Sequence, residues 1–317
     1  MSSRALFVGL ALACSSLGLA LDAAAFCRTR TCEFRSDVAC PRDALTGCYG
    51  SGEFVYWKSG CVPYAVQRDG SADEGITALQ LADLIDQGFA AWSDLACPGG
   101  NTPLLSTSRQ GLIACHEVEF NCMAGSQNSN LVMFQDDFVN TDFGLRFGVI
   151  ALTTVTANLR TGEIFDADME INSRDEDFSL DASGPGNDRR DLRGVINHEL
   201  GHLLGLSHSN EGGALMRALY QGTVRPASDD AAGMCAALAT GANDPACTVE
   251  LLDSGAVCLG PDSNCTRIGA DAPEDPAGGC ACRTASAQPA GPAAWAWALG
   301  LALWALRRKS QSRQRVL

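Results

Sequence analysis

Three histidines and a glutamate fall within one short stretch, His198-Glu199-Leu200-Gly201-His202-Leu203-Leu204-Gly205-Leu206-Ser207-His208. Residues four apart share a helix face, so His198 and His202 can grip one ion together. Glu199 follows His198 directly and can reach a water on that ion. Gly205 tolerates the left-handed backbone that ends a helix. The chain can then turn and return His208 as a third nitrogen ligand. Three protein ligands with one open position is the pattern of a catalytic zinc, whereas structural zinc is closed by four. Such a zinc brings the pKa of its water toward neutrality and polarises a carbonyl. A carboxylate beside it can take the water's proton and hand it to a leaving amine. The chemistry expected is hydrolysis by a metal-activated water, with Glu199 as general base, His198, His202 and His208 as metal ligands and Zn2+ as cofactor.

The competing reading is ordinary histidines on an amphipathic helix. The fixed identities of the extended spacing argue against it, and three of the chain's four histidines lie here. The fourth, His116, begins a His-Glu pair that lacks a second histidine, because Phe120 stands in its place. It reads as a surface residue between Cys115 and Cys122.

The helix that must carry the motif starts near Asp188 or Asp191, after the Gly184-Pro185-Gly186 break; Asp is a good N-cap and suits a helix start. Leu192, Val195, Ile196, Leu200, Leu203 and Leu204 give it a wide apolar surface, so it should be central and mostly buried. Residues 73–92 read as a first long helix, with Ile76, Leu79, Leu81, Leu84, Ile85, Phe89 and Trp92 as its apolar positions. Strands are expected over 55–66, 118–122, 130–134 and 147–154. The alternation of Ile164, Asp166, Asp168 and Glu170 predicts a half-exposed strand over 161–172.

Downstream comes Gly212-Gly213-Ala214-Leu215-Met216-Arg217-Ala218-Leu219-Tyr220. With the histidine motif, this resembles the metzincin clan of zinc endopeptidases and, within it, the matrixin family. The resemblance covers roughly 53–240. It places Met216 as the Met-turn residue beneath the zinc, matches Tyr220 and Ser209 to family positions, and makes Ser228 the N-cap of the family's last helix. It implies an α+β, zincin-like fold. A twisted, mostly parallel sheet would carry one antiparallel edge strand, beside an active-site helix and a smaller C-terminal subdomain. By the same resemblance, 161–172 is the edge strand that borders the cleft and pairs with extended substrate backbone, a mode that reads main chain. An ordinary edge guarded by acidic residues is the alternative. The specificity pocket is expected from 217–227.

Departures from the family also count. Animal matrixins hold a second zinc with upstream histidines, and only His116 lies upstream here, so no second histidine zinc is expected. A propeptide with a blocking cysteine is not recognisable. Calcium is a second candidate cofactor, since Asp136, Asp137, Asp142, Asp166, Asp168 and Glu170 offer hard oxygen ligands; a solvated acidic face is the other reading. Astacins are disfavoured by Ala218, where they carry a tyrosine. Thermolysin-like enzymes are disfavoured by His208.

The ends speak of export. Residues 1–25 read as a signal peptide ending Ala23-Ala24-Ala25. The 15 cysteines suit an oxidising compartment, with connectivity left open. Residues 26–52 form a Cys-rich segment that is a pro-segment, a cap or a binding element, and 241–282 form a second Cys-rich segment. In 283–317, a spacer, a short apolar run from Ala293 and an Arg307-Arg308-Lys309 cluster resemble bacterial C-terminal sorting tags of the MYXO-CTERM type. That implies transient membrane contact and delivery to the cell surface; a plain anchor is the alternative. Net charge is −14, and it is more negative once both ends are set aside, which disfavours nucleic-acid partners. Protein or peptide substrates and a monomer are expected. The rival function is a catalytically silent surface-binding protein on the same scaffold.

Overall fold

The computed structural model describes residues 26–35, 38–115, 117–118, 120, 129–136, 149–180, 189–241 and 247. The stretches read as a signal peptide and a sorting tag, His116, Asp137, Asp142 and most of the strand expected over 118–122 lie outside the described residues. Among the described residues, no helix is long and apolar enough to cross a membrane.

The central sheet has five strands, in the spatial order Ser106–Ile113, Cys61–Gln67, Leu131–Phe134, Ile164–Ile171, Ala151–Ala157. The first four are parallel and the last is antiparallel to its neighbour. Helices α1 (Ala78–Ser93) and α2 (Leu192–Leu203) bury Leu81, Ile85, Phe89, Leu200 and Leu203 in one core cluster with Tyr64, Val66, Met169 and Ile171 of the sheet. The opposite face buries Ala65, Ile113, Leu131 and Met133. Both faces are covered, as a largely parallel sheet requires. This is the α+β architecture the sequence implied.

Several expectations shift. The first helix begins at Ala78, because Thr77 and Gln80 close a capping box there: Gln80 N donates to Thr77 Oγ1 and Thr77 N donates to Gln80 Oε1. Ile76 belongs instead to a turn paired with Ser71. The first strand starts at Cys61, and the strand expected over 147–154 runs Ala151–Ala157.

A further shift matters most for function. The 164–171 strand is not the edge; it lies between Leu131–Phe134 and Ala151–Ala157, and the latter is the edge. Nor is it half-exposed, since Asp166 and Asp168 are each 1% exposed. Asp168 Oδ1 accepts from Leu131 N at 2.8 Å, so its carboxylate binds the neighbouring strand rather than water. The acidic alternation mimicked a solvated face because a carboxylate that accepts backbone N–H groups can be buried as well as exposed.

Helix α2 starts where one of the two expected caps places it. Asp191 is the N-cap and accepts from Arg193 N at 3.0 Å. The helix packs at very close range, and two of its glycines permit this. A methyl at Gly201 would overlap the Met216 sulfur, and one at Gly194 would sit 2.6 Å from Thr223 O. Helix α3 (Ser228–Ala237) follows the 212–220 turn. Its N-cap is Ala227 rather than Ser228, and Asp230 accepts from Ala227 N at 2.7 Å.

Candidate metal centre and its cleft

His198 and His202 sit on consecutive turns of α2, their rings edge to face at 4.8 Å. Gly205 has φ +97°, the left-handed turn that its lack of a side chain allows, and it sends Leu206–Ser207 back toward the helix. His208 thereby returns to the same place, with ring centroids 4.7 Å from His202 and 5.3 Å from His198. Ligand atoms of the three histidines all lie within 4.8 Å of one another. Among the described residues they are the only cluster of three or more His, Cys, Asp or Glu groups able to hold a metal ion.

The donor set fits zinc. His198 Nδ1 lies 2.7 Å from Leu215 O, and His202 Nδ1 lies 2.9 Å from Leu206 O. A carbonyl only accepts, so both Nδ1 atoms carry the hydrogen and both Nε2 lone pairs are left for a metal. His202 Nε2 and His208 Nε2 are 3.2 Å apart. Two nitrogens each about 2.0 Å from one tetrahedral ion would sit roughly 3.3 Å apart. Burial holds the His202 pKa below its ordinary value, and the neighbouring His198 adds to this against the pull of Glu199. His208 is lowered by desolvation first, then by His202, His198 and Arg42. Both shifts favour the neutral imidazole that a metal needs.

Glu199 is 6% exposed and opens on the same cleft. Thr153 of the edge strand donates from Oγ1 to Glu199 Oε2 at 2.7 Å. Sequence reasoning missed Thr153, for no spacing signal links it to the motif; its contact is set by sheet order alone.

Met216 is 1% exposed and packs beneath α2 against Gly201. Its turn is held from below. Asp230 accepts from Leu215 N at 2.7 Å and Met216 N at 3.0 Å, and Ser209 N donates to Met216 O at 2.8 Å. Asp229 accepts from Ser209 Oγ at 2.6 Å. The pair of aspartates therefore ties the return of His208 to the Met216 turn, a role not evident from their position at the start of a helix. Tyr220 Oη accepts from Asp191 N at 2.9 Å, joining the far end of this segment to the cap of α2.

The cleft has a volume of about 410 Å³. Its walls are the edge strand through Ala151, Leu152, Thr153 and Val155, the exposed face of α2, and residues between Arg217 and Thr223. A larger depression of about 800 Å³, lined by Arg28, Phe54, Trp57 and Lys58, holds none of these groups.

Among the described residues, the carboxylates considered for calcium form no cluster able to hold a metal ion. Asp136 accepts from Ser71 Oγ and Ser173 Oγ, and Glu170 accepts from Gln135 Nε2.

A family profile, Matrixin, of the M10 peptidases, matches residues 57–237. The chain belongs to the matrixin family. No curated protein matches it. The family uses zinc and cleaves peptide substrates, and the histidine cluster gives this matrixin a place for the ion.

Proposed function

We propose that this matrixin is an exported, zinc-dependent endopeptidase. The observation that carries the reading is the meeting of three metal-competent histidines with a buried glutamate on a cleft bordered by a sheet edge. His198, His202 and His208 would hold the zinc. When bound, that ion supplies a polarising charge and a water of lowered pKa.

The chain's own groups do the rest. The outer edge of Ala151–Ala157, which no other strand pairs with among the described residues, receives extended substrate by backbone hydrogen bonding. Glu199 takes a proton from the attacking water and gives it to the departing nitrogen. Thr153 orients that carboxylate through its hydroxyl. Met216 and the Asp230-pinned turn fix the floor beneath the histidines. No covalent intermediate with the enzyme is needed.

Export rests on residues 1–25 as a signal peptide and on 283–317 as a surface-sorting tag, with the substrate-facing domain outside the cell. Disulfides Cys27–Cys48, Cys32–Cys40, Cys61–Cys247 and Cys97–Cys235 support an oxidising compartment. The test is casein or gelatin zymography of the exported protein with and without a chelator, beside its zinc content. Cleavage lost on chelation and restored by zinc supports the reading. A zinc-replete, folded protein that cleaves neither substrate nor a diverse peptide library would favour a silent binding protein.

A further inference from the structure

The family match begins at residue 57, but the cleft does not. Thr29, Glu33, Phe34 and Arg42 line it together with Ser207 and His208. These residues belong to a stretch woven into the domain. Cys27–Arg28 pairs antiparallel with Leu206–Ser207, the two residues just before His208. Thr29 N donates to Gly205 O and Thr29 Oγ1 to Leu206 O, each at 2.9 Å. Asn210 Nδ2 donates to Thr46 O at 2.8 Å. Phe34 packs on the Val55, Ala157 and Ile164 cluster at the end of the edge strand. Disulfides Cys27–Cys48 and Cys32–Cys40 staple the stretch. A segment built to leave would not carry the strand that braces the return of His208.

Arg42 stands at the base of a tight turn in which Asp43 N donates to Cys48 O and Gly47 N to Asp43 O. Its guanidinium lies 4.5 Å over the Tyr49 ring and donates to Tyr49 Oη at 2.7 Å. The adjacent Asp43 carboxylate is taken up by Leu45 N, Thr46 N and the Thr46 hydroxyl. Arg217, also on the cleft, donates to Asn210 O at 3.2 Å. Neither arginine makes an ion pair among the described residues, in a chain of net charge −14. A second carboxylate, Glu33, feels the Arg42 charge through space, but its oxygens accept from Arg30 N at 2.7 Å and Ser207 Oγ at 3.4 Å. A guanidinium held in place by a phenol, with no carboxylate in ion-pair contact among the described residues, has N–H groups to donate to a substrate's carboxylate.

We propose that residues 26–56 stay in the working enzyme as a wall of the cleft, and that Arg42 there selects peptides bearing an acidic side chain beside His208. This rests on the endopeptidase reading. The chemistry sought is a peptide carboxylate from Asp or Glu.

The test uses the exported protein and fluorogenic peptides in which Asp, Ala or Lys is scanned through the residues flanking the scissile bond. The expected result is a preference for Asp over Lys at one position, lowered about fivefold by Arg42→Ala and inverted by Arg42→Glu. Anisotropy of the same peptides on the Glu199→Gln chain reads selection without turnover. Arg42-dependent binding with no cleavage by the parent would sink the endopeptidase reading and leave the role of Arg42 standing. Cleavage with a profile unchanged in both Arg42 variants overturns this inference alone. So does an active species whose N-terminus, by intact mass, lies beyond Cys48.

Discussion

The two sides of the cleft are held by different physics. On the helix side, Leu192, Ile196, Leu200 and Leu203 of α2 are fully buried, and the following turn hangs from the Asp230 carboxylate. Burial of that kind stabilises by about 25 cal/mol per Å² of apolar surface. On the opposite side, the described residues of 26–52 bury little beyond Cys27, Thr31 and Cys32, and two disulfides, a two-residue strand pair and a few hydrogen bonds hold them. Cross-links act chiefly by restricting the unfolded chain and place few demands on neighbouring side chains. The proposed chemistry sits on the packed side, where a displacement of an ångström would matter. The proposed selection sits on the stapled side, where sequence can change without disturbing the core.

The largest effect should come from the packed side and touch chemistry alone. Glu199→Gln keeps the shape of the side chain and its place beside Thr153. We expect kcat/KM to fall about 10²–10⁴-fold, with zinc content and melting temperature unchanged. Steady-state kinetics beside metal analysis checks this, and parental turnover would remove Glu199 from the role of base. The next effect tests the support beneath. Asp230→Ala leaves Leu215 N, Met216 N and Ala227 N without their shared acceptor. At about 1 kcal/mol or more for each stranded buried donor, roughly 3 kcal/mol of stability should be lost. Denaturant unfolding measures it, and a loss below about 1 kcal/mol would mean the turn holds without the carboxylate.

The same contrast explains what the sequence disclosed. The packed side was legible because helical spacing is a local rule: His198 and His202 are one turn apart, Asp191 is a cap, and Gly205 takes φ +97°. The sheet's order was not legible locally. Ile164–Ile171 carries acidic residues that imitate an exposed edge, while the real edge, Ala151–Ala157, carries none. Edge position depends on which strands pair, a matter of partners rather than composition. Thr153, Asp229 and Asp230 were missed for the same reason, since their partners lie 46, 20 and 15 residues away. The stapled side had no periodicity to read, and its cysteines admitted many pairings.

The stapled side should respond differently to a comparable loss. Removing the short Cys32–Cys40 loop closure by Cys32→Ala with Cys40→Ala should cost about 2–3 kcal/mol by freeing the opened segment. Hydrogen exchange over 26–52 is expected to proceed through local opening and to speed, while amides of α2 remain the better protected of the two. Equal protection in both places, before and after the change, would mean that the two sides open as one unit, and the contrast between them would fail.

The smallest expected effect lies where the edge strand meets the packed side. Thr153 has one hydroxyl proton, with Glu199 Oε2 at 2.7 Å and Glu199 O at 3.2 Å. The shorter contact goes to the charged acceptor and is the stronger bond. Thr153→Val retains the branched shape that suits a strand and deletes only the donor. The carboxylate then samples orientations away from the attacking water, so kcat should fall about tenfold, or roughly 1.4 kcal/mol in barrier. The strand's backbone is unchanged, so KM should hold. A rise in KM at constant kcat would place Thr153 with the substrate-pairing edge instead. Thr153→Ser, which restores the hydroxyl without the methyl, should recover most of kcat if the hydrogen bond is what orients the base.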